Sequence, residues 1–148
     1  MINHYSAVVH FYRRDYPRFG SCYIVMNGLS VERVIEIHND IIEDFGGARG
    51  MRDLGTIENL IYYRLDRKST IFNKAAIVLH TICTEHPFVD GNKRTAFVVA
   101  DNLLKDDGYC IQASNDEVVK FMLEVAQYTH TTESVEKWIK KRAVLQTA

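Results

Sequence analysis

The sequence holds few of the residues that interrupt a helix or cross-link a fold. Only two of its 148 residues are proline, and three are cysteine. Cys22, Cys83 and Cys110 are far apart in the chain, so they lack the short spacing of paired zinc ligands, and their odd number does not suit a disulfide framework. This pattern is typical of reduced thiols in a cytoplasmic protein.

Strong net charge and long apolar runs are also missing. The formal net charge is −1, from 18 basic and 19 acidic residues, so no overall field attracts a nucleic acid or an anionic membrane. No segment reaches the roughly 20 apolar residues of a membrane-spanning helix, and charged residues interrupt the apolar runs near the N-terminus. We therefore predict a cytoplasmic protein without a membrane partner, and the charge balance disfavours nucleic acid as a ligand.

What is present is the apolar spacing of amphipathic helices. Periodicity and capping signals predict six helices, over about 31–45, 53–65, 70–85, 92–104 and 115–128, with a last one that carries Val135, Trp138 and Ile139. The second would bury Leu54, Ile57, Ile61 and Leu65. His38 and His80 fall within apolar helical runs and are predicted to be core or groove residues rather than ligands. A short extended piece is expected over 109–113.

The predicted fold class is therefore all-α, with one domain over residues 29–145. Residues 1–28 differ in character, because PRFG and SCYIVMNG are typical of loop and strand. We interpret them as an N-terminal extension of an otherwise complete domain and assign them no chemistry.

The stretch HPFVDGNKR, residues 86–94, joins two predicted helices and could hold an anion. Gly91 lets the backbone approach closely, and the first amides of the following helix, from about Asn92, donate to phosphate oxygens. Arg94 can clamp a pair of oxygens and Lys93 adds a point charge. Two cations at the start of a helix face the positive end of its dipole, which is unfavourable unless an anion binds there.

The same stretch supplies a carboxylate and an imidazole. Asp90 would repel phosphate unless a cation lay between them, and a carboxylate shared with phosphate oxygens is a usual way of holding Mg²⁺. A neutral His86 at the mouth of this site can take a proton from an attacking hydroxyl. Each residue alone has an ordinary structural explanation, but together they suit transfer of a phosphoryl or nucleotidyl group to a hydroxyl.

HPFVDGNKR resembles the Fic motif, and its NKRTA part resembles the Doc (death-on-curing) branch of that family. The likeness extends upstream to LSVERVIEIH and FGGARGMRDLGTIENL and downstream to the VEKWI segment, so it covers roughly residues 29–142. The resemblance implies a Fido fold, a helical bundle with a small β-hairpin flap that aligns a target segment beside the active loop.

The resemblance also implies roles for the motif residues. His86 would be the general base, Asp90 the Mg²⁺ ligand, and Gly91, Asn92, Lys93 and Arg94 the phosphate-binding loop for ATP. Most Fic enzymes transfer AMP and have glycine where this chain has Lys93. In Doc-like toxins that lysine goes with an inverted nucleotide, so that the enzyme phosphorylates elongation factor Tu and arrests translation. The resemblance thus favours a Doc-like protein kinase that acts on this or another translation factor.

Two residues bear on the choice of reaction. Many AMP-transferring members carry a second arginine three positions after Arg94, where this chain has Phe97. This difference weakens the hypothesis that the protein transfers AMP. Gly91, however, follows the general Fic motif where the best-known Doc toxin has alanine. An adenylyltransferase or other NMP transferase therefore stays open as an alternative, as does a catalytically silent module that binds nucleotide or a partner.

Regulation by a separate antitoxin is a further implication of the resemblance. Some Fic proteins carry an inhibitory helix with the pattern Ser/Thr-x-x-x-Glu-Gly/Asn. Thr132 and Glu136 have that spacing, but Lys137 follows them, so an ordinary amphipathic helix is the better interpretation. The expected partner is an antitoxin whose disordered tail folds as a helix onto this domain.

Overall fold

A computed structural model describes residues 28–146, and in this range six α-helices pack around one hydrophobic core. The helices are α1 Val31–Phe45, α2 Leu54–Asn59, α3 Ile71–Glu85, α4 Asn92–Asp106, α5 Asn115–Ala126 and α6 Thr132–Arg142. The predicted all-α class is confirmed. The predicted loop and strand of the N-terminal extension and Cys22 lie outside the described residues, whereas Cys83 and Cys110 are unbridged thiols.

Helix α4 lies at the centre of the bundle. It packs most extensively against α3, and it also contacts α1, α5 and the small sheet described below. Its buried residues occur on all sides of the helix: Thr95, Ala96, Phe97, Val98, Val99, Ala100, Asp101, Leu103 and Leu104. A helix that is apolar nearly all round must be covered on every side, so the prediction of a buried central helix is confirmed.

Side chains close the N-termini of four helices. Ser30, Thr70 and Thr131 each accept the backbone N–H three residues further on, at 3.0–3.1 Å. Ser114 begins α5 with a capping box, because its hydroxyl accepts the N–H of Glu117 while the Glu117 carboxylate accepts the N–H of Ser114. The predicted capping box is therefore confirmed, and each cap satisfies an amide that has no partner within its helix.

We expect Ser114→Ala to lower the free energy of unfolding by about 1 kcal/mol, since the N–H of Glu117 loses its acceptor. Glu117→Gln is the matched control, because glutamine also serves in a capping box and should cost much less. Urea unfolding of both variants measures the difference. Equal losses in the two variants would show that the box does not stabilise α5.

The second predicted helix differs from expectation. α2 continues into a π-helical turn at Leu60–Arg64, in which the wider turn rotates the following residues. Leu60 is fully buried along with the predicted Ile57 and Ile61, but Leu54 is 44% exposed. The prediction that Leu54 faces the core is therefore wrong. As the first residue of α2 it has the right spacing, but spacing does not show whether another element covers it.

The small sheet pairs two distant parts of the chain. Strand β1, Tyr109–Ile111, runs antiparallel to β2, Ala143–Leu145, which follows α6 directly. The extended piece near 109 is confirmed, whereas β2 was not predicted. Helices α5 and α6 separate the strands, so this sheet is not a hairpin flap, and residues 28–146 contain no pair of strands joined by a short turn. Within the same residues, no helix is both long and apolar enough to cross a membrane.

Candidate functional site

The HPFVDGNKR stretch forms a short loop between the two central helices. α3 ends at Glu85, its C-cap His86 has left-handed backbone angles (φ 49°, ψ 59°), and Pro87 prevents the helix from continuing. Gly91 is the N-cap of α4, also in a left-handed conformation at φ 76°. The predicted helix end and start are therefore confirmed. A non-glycine residue rarely adopts such angles, and residues held this way concentrate at functional sites.

Asn92 fixes the shape of this loop. Its Oδ1 accepts the N–H of Phe88 and its Nδ2 donates to the carbonyl of Phe88, both at 2.9 Å. Phe88 itself is 1% exposed, so the middle of the loop is anchored in the core. The Asn92 side chain thus orients the loop. Because both of its polar atoms are bonded to Phe88, only the backbone N–H of Asn92 could bind an anion.

A second segment, the α1–α2 loop of residues 46–53, runs alongside the motif. The amides of Arg52 and Asp53 donate to the carbonyl of Pro87 at 2.7 and 3.0 Å, and the amide of Val89 donates to the carbonyl of Gly50 at 3.1 Å. Sequence reasoning did not assign this segment to the site. Its glycine-rich FGGARGMRD composition was the available signal, since closely approaching backbones favour glycine.

The α1–α2 loop also contacts the carboxylate of Asp90. The Ala48 N–H donates to Oδ2 at 3.1 Å and the Gly91 N–H donates to Oδ1 at 2.8 Å. These hydrogen bonds, first that from Ala48 and then that from Gly91, hold the pKa of Asp90 below its usual range. Asp90 is exposed and ionised at neutral pH, and each of its oxygens keeps a lone pair that can bind a cation.

Gly47 makes this approach possible. A Cβ atom at Gly47 would lie 2.6 Å from Oδ2 of Asp90, whereas one at Gly46 would meet nothing within 4 Å. Both glycines have positive φ, 118° and 81°. Alanine at either position is strained, but only alanine at 47 must move the carboxylate.

We therefore expect Gly47→Ala to raise the pKa of Asp90 towards its ordinary value, because the carboxylate is pushed off the Ala48 amide. Gly46→Ala should leave that pKa low, although both variants lose about 1–2 kcal/mol of stability to backbone strain. Carboxyl carbon NMR against pH measures the pKa in each variant. An unchanged Asp90 in Gly47→Ala would mean that the contact with Ala48 does not set its position.

His38 supports the loop from beneath. The residue is 2% exposed, and its Nε2 lies 2.7 Å from the carbonyl oxygen of Asp90. The ring also stacks on Phe88, with centroids 3.7 Å apart and planes 5° from parallel. Burial lowers the pKa of His38, so the imidazole is neutral at physiological pH. The prediction that His38 is a core residue is confirmed; its bond to Asp90 was not predicted.

The first turn of α4 carries the positive groups of the site. Lys93 and Arg94 are half-buried there, and the Arg94 guanidinium carbon lies 5.2 Å from the centre of the Phe45 ring. The N-cap Gly91 has no side chain to accept the first amides of α4. The first turn of α4 thus combines amides without a side-chain cap, the positive end of the helix dipole and two cationic residues, at the place where the sequence predicts an anion site.

A cation at this site would need ligands from outside the protein. Residues 28–146 contain no group of three or more His, Cys, Asp and Glu side chains that could hold a metal ion. Asp90 offers one carboxylate, and a magnesium ion usually combines one or two carboxylates with phosphate oxygens and water. The geometry thus fits Mg²⁺ bound together with a phosphate ligand.

The end of α3 next to His86 is held by two contacts that were not predicted. The Tyr128 hydroxyl donates to the carbonyl of Thr84 at 3.1 Å, and Arg64 of the π-helical turn forms an ion pair with Glu85 at 3.5 Å. Tyr128 is itself in a left-handed conformation at φ 61°. These contacts join distant parts of the chain, and no local pattern predicts them.

Comparison with known proteins identifies the family. Residues 28–104 match the model of the Fic/DOC family. A Fido domain-containing protein from Dictyostelium discoideum is 34% identical over 79 residues, which are 51% of this chain and 55% of that protein. The toxin Doc of Mycolicibacterium smegmatis is 33% identical over 78 residues, 49% of this chain and 60% of the toxin.

These matches span little more than half the length of the relatives. The family match nevertheless covers α1 to α3, α4 as far as residue 104 and the whole HPFVDGNKR loop, and the helical bundle agrees with a Fido fold. The resemblance seen in the sequence is confirmed: the chain belongs to the Fic/Doc family.

Proposed function

We propose that this protein is a Doc-like toxin, which transfers the γ-phosphoryl group of ATP to a hydroxyl of a target protein and so blocks translation. Elongation factor Tu is the proposed target, and the cytoplasm is the proposed location. The observation that carries the proposal is the position of Lys93, in the first turn of α4 beside a loop that also presents His86 and Asp90.

The site suits ATP with Mg²⁺. The amides of residues 92–94 and the cations of Lys93 and Arg94 would bind phosphate oxygens beside Gly91, whose own N–H is bonded to Asp90, and the ionised Asp90 would hold the metal against them. Bound there, Mg²⁺ would neutralise charge on the transferred phosphate. Asn92, whose side chain is committed to Phe88, would contribute its backbone N–H and the rigidity of the loop.

His86 would act as the general base. It is the last residue before the loop turns, half-buried at the C-terminal end of α3. There a neutral imidazole can accept the proton of a target hydroxyl as that oxygen attacks the γ-phosphorus and ADP leaves. The bond from Tyr128 to Thr84 and the ion pair of Glu85 with Arg64 would help to hold the end of α3 that carries His86, and positioning of a reacting group supplies much of the rate of phosphoryl transfer.

Lys93 favours the γ-phosphate as the reacting group. A lysine fills space that a glycine would leave for the α-phosphate and adds positive charge beside the loop, which favours a different pose of the triphosphate. Phe97 supports the same choice. It stands where many AMP-transferring relatives have an arginine, and at 2% exposure it is part of the core.

Transfer of AMP or another NMP is the second candidate, and Gly91 is the observation in its favour. A Cβ at this position would lie 3.2 Å from Cδ1 of Ile42, and φ is 76°, so the backbone is built for glycine as in the general Fic motif. A silent binding module is the third candidate. Binding alone gives no reason for a histidine in a strained conformation beside the phosphate loop.

The partner we propose is an antitoxin whose tail folds onto this domain, since Glu136 is poorly placed to inhibit. Its carboxylate accepts a hydrogen bond from Asn73 at 3.2 Å and pairs with Lys140 at 3.1 Å. Asn73 lies in the first turn of α3, whereas His86 follows its last turn, about 20 Å away at 1.5 Å per residue.

The proposed domain comprises residues 29–145.

The test is label transfer in a cell extract, with ATP labelled at either the γ- or the α-phosphate. We expect a protein band labelled only from the γ position and absent with His86→Ala. Lys93→Gly should weaken the γ signal by at least about tenfold, because the lysine no longer enforces the pose. A band labelled from the α position in the wild type would identify an NMP transferase instead.

A further inference from the structure

We propose that His38 is a positioning residue for Asp90: its hydrogen bond to the Asp90 carbonyl aims the carboxylate at the phosphate-binding loop. The inference rests on the proposed function, in which Asp90 holds the metal. His38 is 52 residues from Asp90 in the chain and lies on α1, outside the motif. The proposed mechanism gives its imidazole no other role.

The hydrogen bond has a defined direction. A carbonyl oxygen only accepts, so Nε2 of His38 carries the proton and donates it to Asp90 across 2.7 Å. The peptide that follows Asp90 is therefore held from the α1 side. The side-chain oxygens of Asp90 accept hydrogen bonds from the backbone amides of Ala48 and Gly91. With donors on both sides, Asp90 has little freedom to rotate.

The His38 ring also fixes the neighbours of Asp90. It stacks on Phe88, two residues earlier, whose backbone N–H and carbonyl are both bonded to Asn92. Gly91 also lies next to the ring, because a Cβ at this position would be in ordinary van der Waals contact with ring atoms of His38 at 3.7 Å. The buried His38 ring thus lies against residues 88, 90 and 91 and links this part of the loop to α1.

If His38 only filled space in the core, its hydrogen bond to Asp90 would not be needed. An apolar side chain would fill the same space, but the carbonyl of Asp90 would then lose its donor. Partners that orient metal-binding side chains typically change metal affinity 10- to 100-fold when mutated. The ordering of Asp90 by His38 should therefore appear in the affinity for a divalent ion, beyond any effect on stability.

His80 provides a matched control. It is a half-buried histidine of α3 whose Nε2 donates to the carbonyl of His130 at 3.0 Å, so it makes the same type of bond away from the motif loop. His38→Phe and His80→Phe both keep a flat ring and lose the donor. His38→Gln loses the ring but keeps a terminal N–H near the position of Nε2.

The experiment measures Mn²⁺ affinity by electron paramagnetic resonance in the presence of a non-hydrolysable ATP analogue, with thermal unfolding in parallel. We expect His38→Phe to weaken Mn²⁺ binding about tenfold, and His38→Gln to recover most of this loss. His80→Phe should bind Mn²⁺ as the wild type does, even where its melting temperature falls as much. Asp90→Asn measures the full contribution of the carboxylate.

Two results overturn the inference and are distinguishable. Wild-type affinity in His38→Phe, with weak binding in Asp90→Asn, removes the role of His38 and leaves the proposed function intact. Equal Mn²⁺ binding by the wild type and Asp90→Asn shows that Asp90 is not a ligand, and then both proposals fail. If His38→Phe does not fold, His38→Asn replaces it. Its amide is too short to reach Asp90, so it should bind about tenfold more weakly than His38→Gln.

Discussion

Replacing His86 by asparagine is expected to lower the rate of phosphoryl transfer by about 10²- to 10⁴-fold while leaving the protein as stable as the wild type. The loss follows because an amide cannot accept the proton of the attacking hydroxyl. The stability is preserved because asparagine tolerates the left-handed conformation of residue 86, at φ 49° and ψ 59°, better than most residues do.

His86→Ala separates these two effects. It should lose the same activity, but alanine fits left-handed angles poorly, so the free energy of unfolding should fall by about 1 kcal/mol relative to His86→Asn. Initial rates with γ-labelled ATP and urea unfolding of the three proteins give both quantities. Retained activity in His86→Asn would contradict the role of general base. Equal stability of the two variants would contradict the left-handed conformation.

Asp101→Asn should stabilise the protein, by on the order of 4 kcal/mol above neutral pH. The Asp101 carboxyl is 1% exposed, its Oδ2 lies 3.3 Å from Nζ of Lys105, and among the described residues its Oδ1 has no hydrogen-bond partner. Burial raises its pKa to about 7 against an ordinary value of 3.8, although Lys105 opposes the shift. The charged carboxylate is thus costly in the fold.

The sign of the pH dependence follows from that shift. Between pH 3.8 and about 7 the folded protein keeps a proton on Asp101 that the unfolded chain has lost. Asp101 therefore destabilises the fold increasingly as the pH rises through this window, and its full cost is present above about pH 7. Asparagine carries no charge at any pH, so the gain from Asp101→Asn should be small at about pH 4 and largest at about pH 8.

Urea unfolding of the wild type and Asp101→Asn across this range measures the effect. Taking the difference between the two proteins cancels other titrating groups, including His38. Asp106→Asn, an exposed aspartate on the same helix, is the matched control and should show no comparable gain. A gain that does not change with pH would contradict the raised pKa of Asp101.

Local signals in the sequence predicted most of the helices. Ser30 and Ser114 mark helix starts through hydrogen bonds made within one turn, and Pro87 ends α3 through its own ring, so no distant partner is needed. The candidate anion site could be proposed from the sequence for the same reason, since its amides, cations and carboxylate lie within nine residues. The family resemblance added roles that the spacing alone does not give.

The contacts that position the motif loop and Asp90 were not predictable, because they join residues that are far apart in the sequence. The α1–α2 loop pairs with the motif through backbone groups, which carry no side-chain signature, and the bond from His38 to Asp90 crosses 52 residues. β2 is three residues long, too short to show alternation. The sequence shows that Asp101 interrupts the apolar run of α4, but its burial and raised pKa depend on the residues that pack around it.

The most direct test of the account is a backbone amide NMR titration with Mg²⁺ and a non-hydrolysable ATP analogue, in the wild type and in Asp90→Asn. We predict the largest shifts at the amides of residues 90–94, with much weaker binding when Asp90 is replaced. Shifts confined to another part of the chain, or an undiminished response in Asp90→Asn, would contradict the claim that this loop holds the triphosphate and its metal.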